Sequence, residues 1–171
     1  MDFKNLSYLA DGSKIQQKAF QVLKSSEIME LLAEFDPIVV GTIPLDIAIE
    51  GSDLDIICQW KDSDDFKNAL RYNFASYPMF RVFEKEISSI SSIIAQFQID
   101  DLKIEIFGQD LPTMQQYGYR HMLIEYQILK ARGATFKSQV IALKQSGSKT
   151  EPAFCQLLGI EGDSYENLLI L

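Results

Sequence analysis

Apolar residues along the chain switch between helical and strand-like spacing. From Ser13 to Phe35, Ile15, Ala19, Val22 and Leu23, then Ile28, Leu31, Leu32 and Phe35, recur at intervals of three and four. This predicts a helix with a break and recap near Ser25-Ser26. Asp36-Pro37 ends it, because the residue before a proline is pushed out of the α region. Apolar runs then predict strands at about 38–41 and 53–59. The polar turn from Trp60 to Asp65 caps a predicted helix from about Ser63 to Ser76, with Asp64 and Asp65 at its positive end. Tyr77-Pro78 stops that helix, and Met79 to Lys85 reads as a strand. Ile93, Ala95, Phe97 and Ile99 alternate with Ile94, Gln96 and Gln98, and Asp100-Asp101 turns into Leu102 to Phe107, which predicts a β-hairpin. On its second strand Leu102, Ile104 and Ile106 share one face, and Glu105 lies on the other with Lys103 and Phe107. From Pro112 onward the pattern is helical: Met114 to Arg132, stopped by Gly133; Phe136 to Gln145, ending at Gly147; Thr150 to Leu158; and Asp163 to Leu171. The expected architecture is α+β, with a mixed sheet flanked by helices in residues 1–110 and a helical region, 111–171, packed on it.

One stretch concentrates chemistry. Ile38 to Cys58 runs an apolar strand into the turn Gly41-Thr42, and ten residues later enters a second strand as Asp53-Leu54-Asp55. Two carboxylates two apart on a strand project from the same face. A close pair of acids at the end of an apolar strand repels itself and loses hydration, and a divalent cation is the commonest remedy. If the hairpin strand lies beside this one, Glu105 completes a three-carboxylate cluster suited to Mg²⁺, a hard cation that prefers oxygen ligands. Gly41-Thr42 offers backbone N–H groups and a hydroxyl with little bulk, as a phosphate would need.

Charge narrows the partners. The 171 residues carry a formal net charge of −8, which argues against broad binding to duplex nucleic acid while leaving room for a small anionic ligand held by metal. Hydrophobic content of 47% and charged content of 23% are ordinary for a folded protein. Cys58 and Cys155 form no CxxC pair, and Met1-Asp2-Phe3-Lys4 does not read as a leader, so a cytoplasmic setting is expected. No apolar run has the length of a membrane span.

Gly41-Thr42, Asp53-Leu54-Asp55 and the later Glu105 together resemble the DNA polymerase beta-like nucleotidyltransferase superfamily, whose pattern is Gly-(Gly/Ser), Asp-x-(Asp/Glu), then a third acid on a later strand. The resemblance covers about residues 13–110. Within the superfamily the chain looks most like a bacterial family of unassigned function, on the strength of Gly41-Thr42-Ile43-Pro44, Ser52 to Cys58, Ile104 to Gln109, Tyr119 to Met122 and Lys149 to Phe154. A fainter similarity points to the GrpB family.

The resemblance implies a nucleotidyltransferase-like fold and Mg²⁺-dependent transfer of an NMP group from an NTP, with ATP the expected nucleotide and one or two ions at the site. Asp53 and Asp55 would be metal ligands, and Glu105 the third ligand or general base. Gly41, Thr42, Ser52 and Arg120 are the expected nucleotide contacts. The acceptor would be a small molecule or a protein hydroxyl. The sequence departs from the superfamily in having Thr42 for Gly or Ser, Pro44 in the turn, and Glu for the usual third Asp. The alternative is a catalytically silent nucleotide-binding or protein-interaction module on the same fold. The residues themselves leave several roles open. Glu105 also reads as an exposed strand residue paired with Lys103 or a neighbour, His121 as a packing histidine, and Arg120 as the partner of an acid. Arg81, Lys85 and Lys149 read as solvated surface cations or as triphosphate contacts.

Overall fold

The structure is a computed structural model that describes residues 1–171. Its helices and strands run, in order, α1 (Ser7–Ala10), α2 (Lys14–Ser26), α3 (Ile28–Leu31), β1 (Ile38–Val40), β2 (Leu54–Gln59), α4 (Ser63–Phe74), β3 (Arg81–Ile87), β4 (Ile90–Ile99), β5 (Leu102–Gln109), α5 (Tyr117–Gln145), α6 (Thr150–Leu158) and α7 (Ser164–Asn167). Short 3₁₀ turns stand at Ala33–Phe35, Thr113–Gln115 and Leu168–Ile170.

The five strands form one mixed sheet in the order β1-β2-β5-β4-β3. Only β2 and β5 are parallel; the other three pairings are antiparallel. The parallel pair needs a crossover, and the chain between β2 and β5 supplies α4 and the β3–β4 hairpin. One sheet face carries Leu54, Ile56, Ile104, Ile106, Ala95 and Phe97, packed with Val22 and Leu23 of α2 and Phe66, Leu70 and Phe74 of α4. The other carries Ile38, Val40 and Ile57, packed with Met122, Phe136 and Val140 of α5 and Phe154 of α6. The architecture is therefore α+β, with helices on both faces of a mixed sheet.

Local chemistry explains the element boundaries. The Asp62 side chain accepts hydrogen bonds from the Asp64 and Asp65 N–H groups at 2.8 and 3.1 Å, and so caps α4. Gly108 lies where a Cβ would collide with the Phe66 ring, so β5 and α4 approach without an intervening side chain. Where the structure departs from the periodic pattern, a specific backbone conformation is responsible. The first helix breaks at Glu27, with φ of 53°, one residue beyond the serine pair. The strand expected from Met79 begins instead at Arg81, because Met79 has φ of 59° in a turn after Pro78. Ser88 and Ser89 both have positive φ and form a tight turn joining β3 to β4, so two hairpins share β4. The long helix starts at Tyr117, since Gln116 is extended and its side-chain amide is spent on the Cys58 and Leu111 carbonyls, both at 2.8 Å. Gly133 (φ 75°, ψ −167°) interrupts the span Tyr117–Gln145 where glycine is expected to stop a helix.

Candidate functional site

Sheet register assembles the acids. Val40 pairs with Asp55, Asp55 with Glu105, Glu105 with Gln96, and Gln96 with Arg81. These side chains share one face and form a row across all five strands. The row lies on the face that packs on α5: Val40 is buried against that helix, and Asp55 and Glu105 line the cavity beside it.

Asp55 and Glu105, each half-buried, stand side by side on the two parallel strands. Burial, then the charges of Glu105 and Asp53, push the Asp55 carboxyl up to about 8, with Lys144 offsetting part of the effect. Glu105 does not pair with Lys103. Its Oε2 accepts a 2.5 Å hydrogen bond from Gln96 Nε2, and Gln96 Oε1 in turn accepts one from Arg81 Nε at 2.6 Å. Arg81, one of the candidate triphosphate cations, is thus tied into the acidic row through Gln96.

Asp53 sits just ahead of β2. Its Oδ1 is buried without a hydrogen-bond partner, a costly state for a carboxylate oxygen. The acids divide two hollows. Asp55 and Glu105 line a cavity of about 630 Å³ between the sheet, α5 and α6, together with Gly41 and Thr42. Asp53 lines a cleft of about 470 Å³ with Arg81, Gln96, Gln98 and Lys103. As they stand, no three of the His, Cys, Asp and Glu side chains are grouped to hold a metal ion.

Gly41 has φ of 80°, a region that favours glycine, and a Cβ there would collide with Asp55 Oδ2. The turn that follows is held by a hydrogen bond from the Ile47 N–H to the Thr42 carbonyl at 3.0 Å, and Thr42 lines the cavity. Ser52 is elsewhere: its Oγ accepts from the Ile49 N–H at 2.9 Å and organises the loop before Asp53. Arg120 lines the cavity and is exposed, with its guanidinium 5.6 Å from the centre of the Tyr117 ring. Lys149 lines the same cavity, while Lys85 is exposed on the edge strand.

Beside His121, the helical wall holds two groups that the sequence reading did not single out, Glu125 and Lys144. His121 is buried, its Nε2 2.7 Å from the Tyr165 carbonyl oxygen and its Nδ1 3.8 Å from Glu151 Oε1. It is both a hydrogen-bonded packing residue and part of the cavity wall. One helical turn on, Glu125 is only 3% exposed, and its Oε1 has no partner. Burial first, then the Glu151 charge, raises the Glu125 carboxyl well above the usual carboxylate range. The visible signal was an acid four residues after His121, on the face that meets the core. Lys144, also buried, donates to the Ile47 carbonyl at 2.7 Å, and no ion pair joins it to Glu125. Burial lowers its ammonium to about 8, against the pull of Glu125, Glu151 and Asp55.

A family model described as a domain of unknown function, DUF4269, matches residues 21–171. The chain belongs to the DUF4269 family. No curated protein matches it. Among solved structures, this DUF4269 chain is similar to the Cid1 poly(U) polymerase bound to Mg 3′-dATP, with a TM-score of 0.58 and 12% identity over 96% of this chain and 53% of that one. It is also similar to the MgGTP-bound form (TM-score 0.53, 14% identity, 77% of this chain and 41% of that one). A cytoplasmic RNA terminal U-transferase gives a TM-score of 0.55 at 14% identity, covering 77% of this chain and 41% of the other. The DUF4269 chain thus spans about half the length of these structures or less. At such identity the likeness establishes the fold, which is nucleotidyltransferase-like. No helix is long and apolar enough to cross a membrane.

Proposed function

We propose that this DUF4269 chain transfers an NMP group from an NTP, with ATP the expected nucleotide, to a small-molecule or protein acceptor. The observation that carries this reading is the register pairing of Asp55 with Glu105 directly beside Gly41, on a nucleotidyltransferase-like sheet. The donor set suits a hard cation: Asp55 and Glu105 repel each other, and Asp53 carries a bare buried oxygen. Asp53, Asp55 and Glu105 would hold Mg²⁺, which would supply neutralisation of the polyphosphate as the acceptor oxygen bonds to the α-phosphorus and the α–β bond breaks to release pyrophosphate.

The protein's own groups would then divide the work. The Gly41-Thr42 turn and Arg120 hold phosphate oxygens, and Ser52 supports the reaction by fixing the loop that delivers Asp53. Glu105, steadied by Gln96, would accept the acceptor's proton. Region 111–171 forms the far wall of the cavity and the acceptor side. Calorimetry of MgATP binding tests the site: loss of binding in Asp53→Asn and Asp55→Asn supports it. Radiolabelled NMP transfer, screened over metabolite and protein pools, then tests turnover, which Glu105→Gln should abolish while MgATP still binds.

The second reading is a silent nucleotide-binding or protein-interaction module. It is favoured by the absence of three side chains already grouped for a metal ion. Nucleotide binding with no transfer to any acceptor would establish the former, and no binding of any NTP the latter.

A further inference from the structure

We propose that Glu125 and Glu151, at the helical end of the large cavity, form a binding site for a protonated amine. Four observations converge on that end. Glu125 lines the cavity at 3% exposure, and its Oε1 has no hydrogen-bond donor. A buried carboxylate oxygen without a partner is expensive and is retained where a ligand supplies the donor. Glu151 lines the same end, and its repulsion adds to the cost of charging Glu125. An ammonium between the two would remove both penalties at once.

Third, the basic groups beside the two acids leave Glu125 without a donor. Lys144 Nζ donates to the Ile47 carbonyl at 2.7 Å and is ion-paired to neither acid, and His121 Nδ1 stands 3.8 Å from Glu151 Oε1, too far for a hydrogen bond. Fourth, aromatic rings line the same cavity as the acids. Tyr117 is stacked on His121, with ring centres 5.7 Å apart, and Tyr165 meets His121 edge-on; both tyrosines line the cavity. Carboxylates combined with aromatic faces are what a desolvated ammonium needs.

The charge of the whole cavity points the same way. Asp55, Glu105, Glu125 and Glu151 line it against Arg120 and Lys149. Of its acids, Glu125 and Glu151 are not needed for the proposed metal, so they remain available to a cationic group. That this amine belongs to the acceptor rests on the nucleotidyl-transfer reading; that the site binds an amine does not. The acceptor class is then a small molecule that presents a protonated amine beside its reactive hydroxyl.

The test is calorimetry on the full chain with spermidine, with triacetylspermidine as its uncharged counterpart, and separately with MgATP. The expected result is saturable binding of spermidine, at least tenfold weaker for triacetylspermidine and for Glu125→Gln and Glu151→Gln. The exposed control Glu50→Gln should leave it unchanged, since a general attraction to an acidic surface would respond to any lost acid. MgATP affinity should be unchanged in Glu125→Gln. The inference is overturned if spermidine does not bind, or if the two cavity variants bind it as wild type does. Circular dichroism of each variant confirms that a loss is not unfolding. If spermidine binds at Glu125 and Glu151 but no NTP binds, the amine site stands and the transferase reading falls; the reverse pattern removes the amine site alone.

Discussion

Gly41 and Asp55 meet at the end of the β1–β2 pairing with no room for a methyl group between the Gly41 backbone and the Asp55 carboxylate. The left-handed backbone at Gly41 (φ 80°) and the steric requirement arise at one atom. Gly41→Ala should therefore cost about 1–2 kcal/mol from backbone strain alone, and should also displace Asp55. Urea unfolding measures the first effect. Calorimetry with MgATP should show the second as a loss of metal-dependent binding greater than that of Ala at an unstrained cavity position.

Asp55 stores the self-repulsion of the acidic row. In EDTA, Asp55→Asn should stabilise the protein by about 1 kcal/mol, or roughly 2–4 °C in thermal midpoint for a chain of this size. The same variant should gain nothing when Mg²⁺ is added. A midpoint that falls in EDTA would mean that the carboxylate is held by favourable contacts instead.

Gln96 bridges Glu105 to Arg81 with hydrogen bonds of 2.5 and 2.6 Å. Replacing it by Leu removes the only donor that fixes Glu105 Oε2, at a cost of about 1 kcal/mol in stability. NMP transfer should fall, with KM for the nucleotide little changed, because Gln96 touches the third acid and not Gly41 or Thr42. Gln96→Glu should be worse, since it adds a third carboxylate to the row, next to Glu105. Steady-state kinetics on both variants checks the order.

Lys144 predicts the alkaline behaviour. Burial depresses its ammonium to about 8, while Glu125, Glu151 and Asp55 pull the other way. Between about pH 8 and the ordinary lysine value, the folded protein has released a proton that the unfolded chain still binds. Stability from this group therefore rises with pH across that window, and the burial penalty is present in full below it. Urea midpoints at pH 7.5 and 10 should diverge in wild type in that direction, and the contribution should vanish in Lys144→Met.

Periodicity in the sequence was enough to place the β4–β5 hairpin, the capped helix α4, the α6 span at Thr150–Leu158 and the arrest at Gly133, because each is set by neighbours a few residues apart. The pairing of Asp53-Leu54-Asp55 with a strand bearing Glu105 followed from alternation of side chains, once the two strands were assumed adjacent. That adjacency depends on a parallel crossover of more than forty residues, and only the folded chain decides it. The same holds for Gln96 and Arg81, which join the acids through register across strands distant in sequence. Glu125, Lys144 and Glu151 were passed over for a related reason. A charged residue in a helical stretch reads as solvated, and burial comes only when α5 and α6 close over the open face of the sheet. Local spacing thus determined which side chains could carry the chemistry, and long-range packing determined which of them share a cavity.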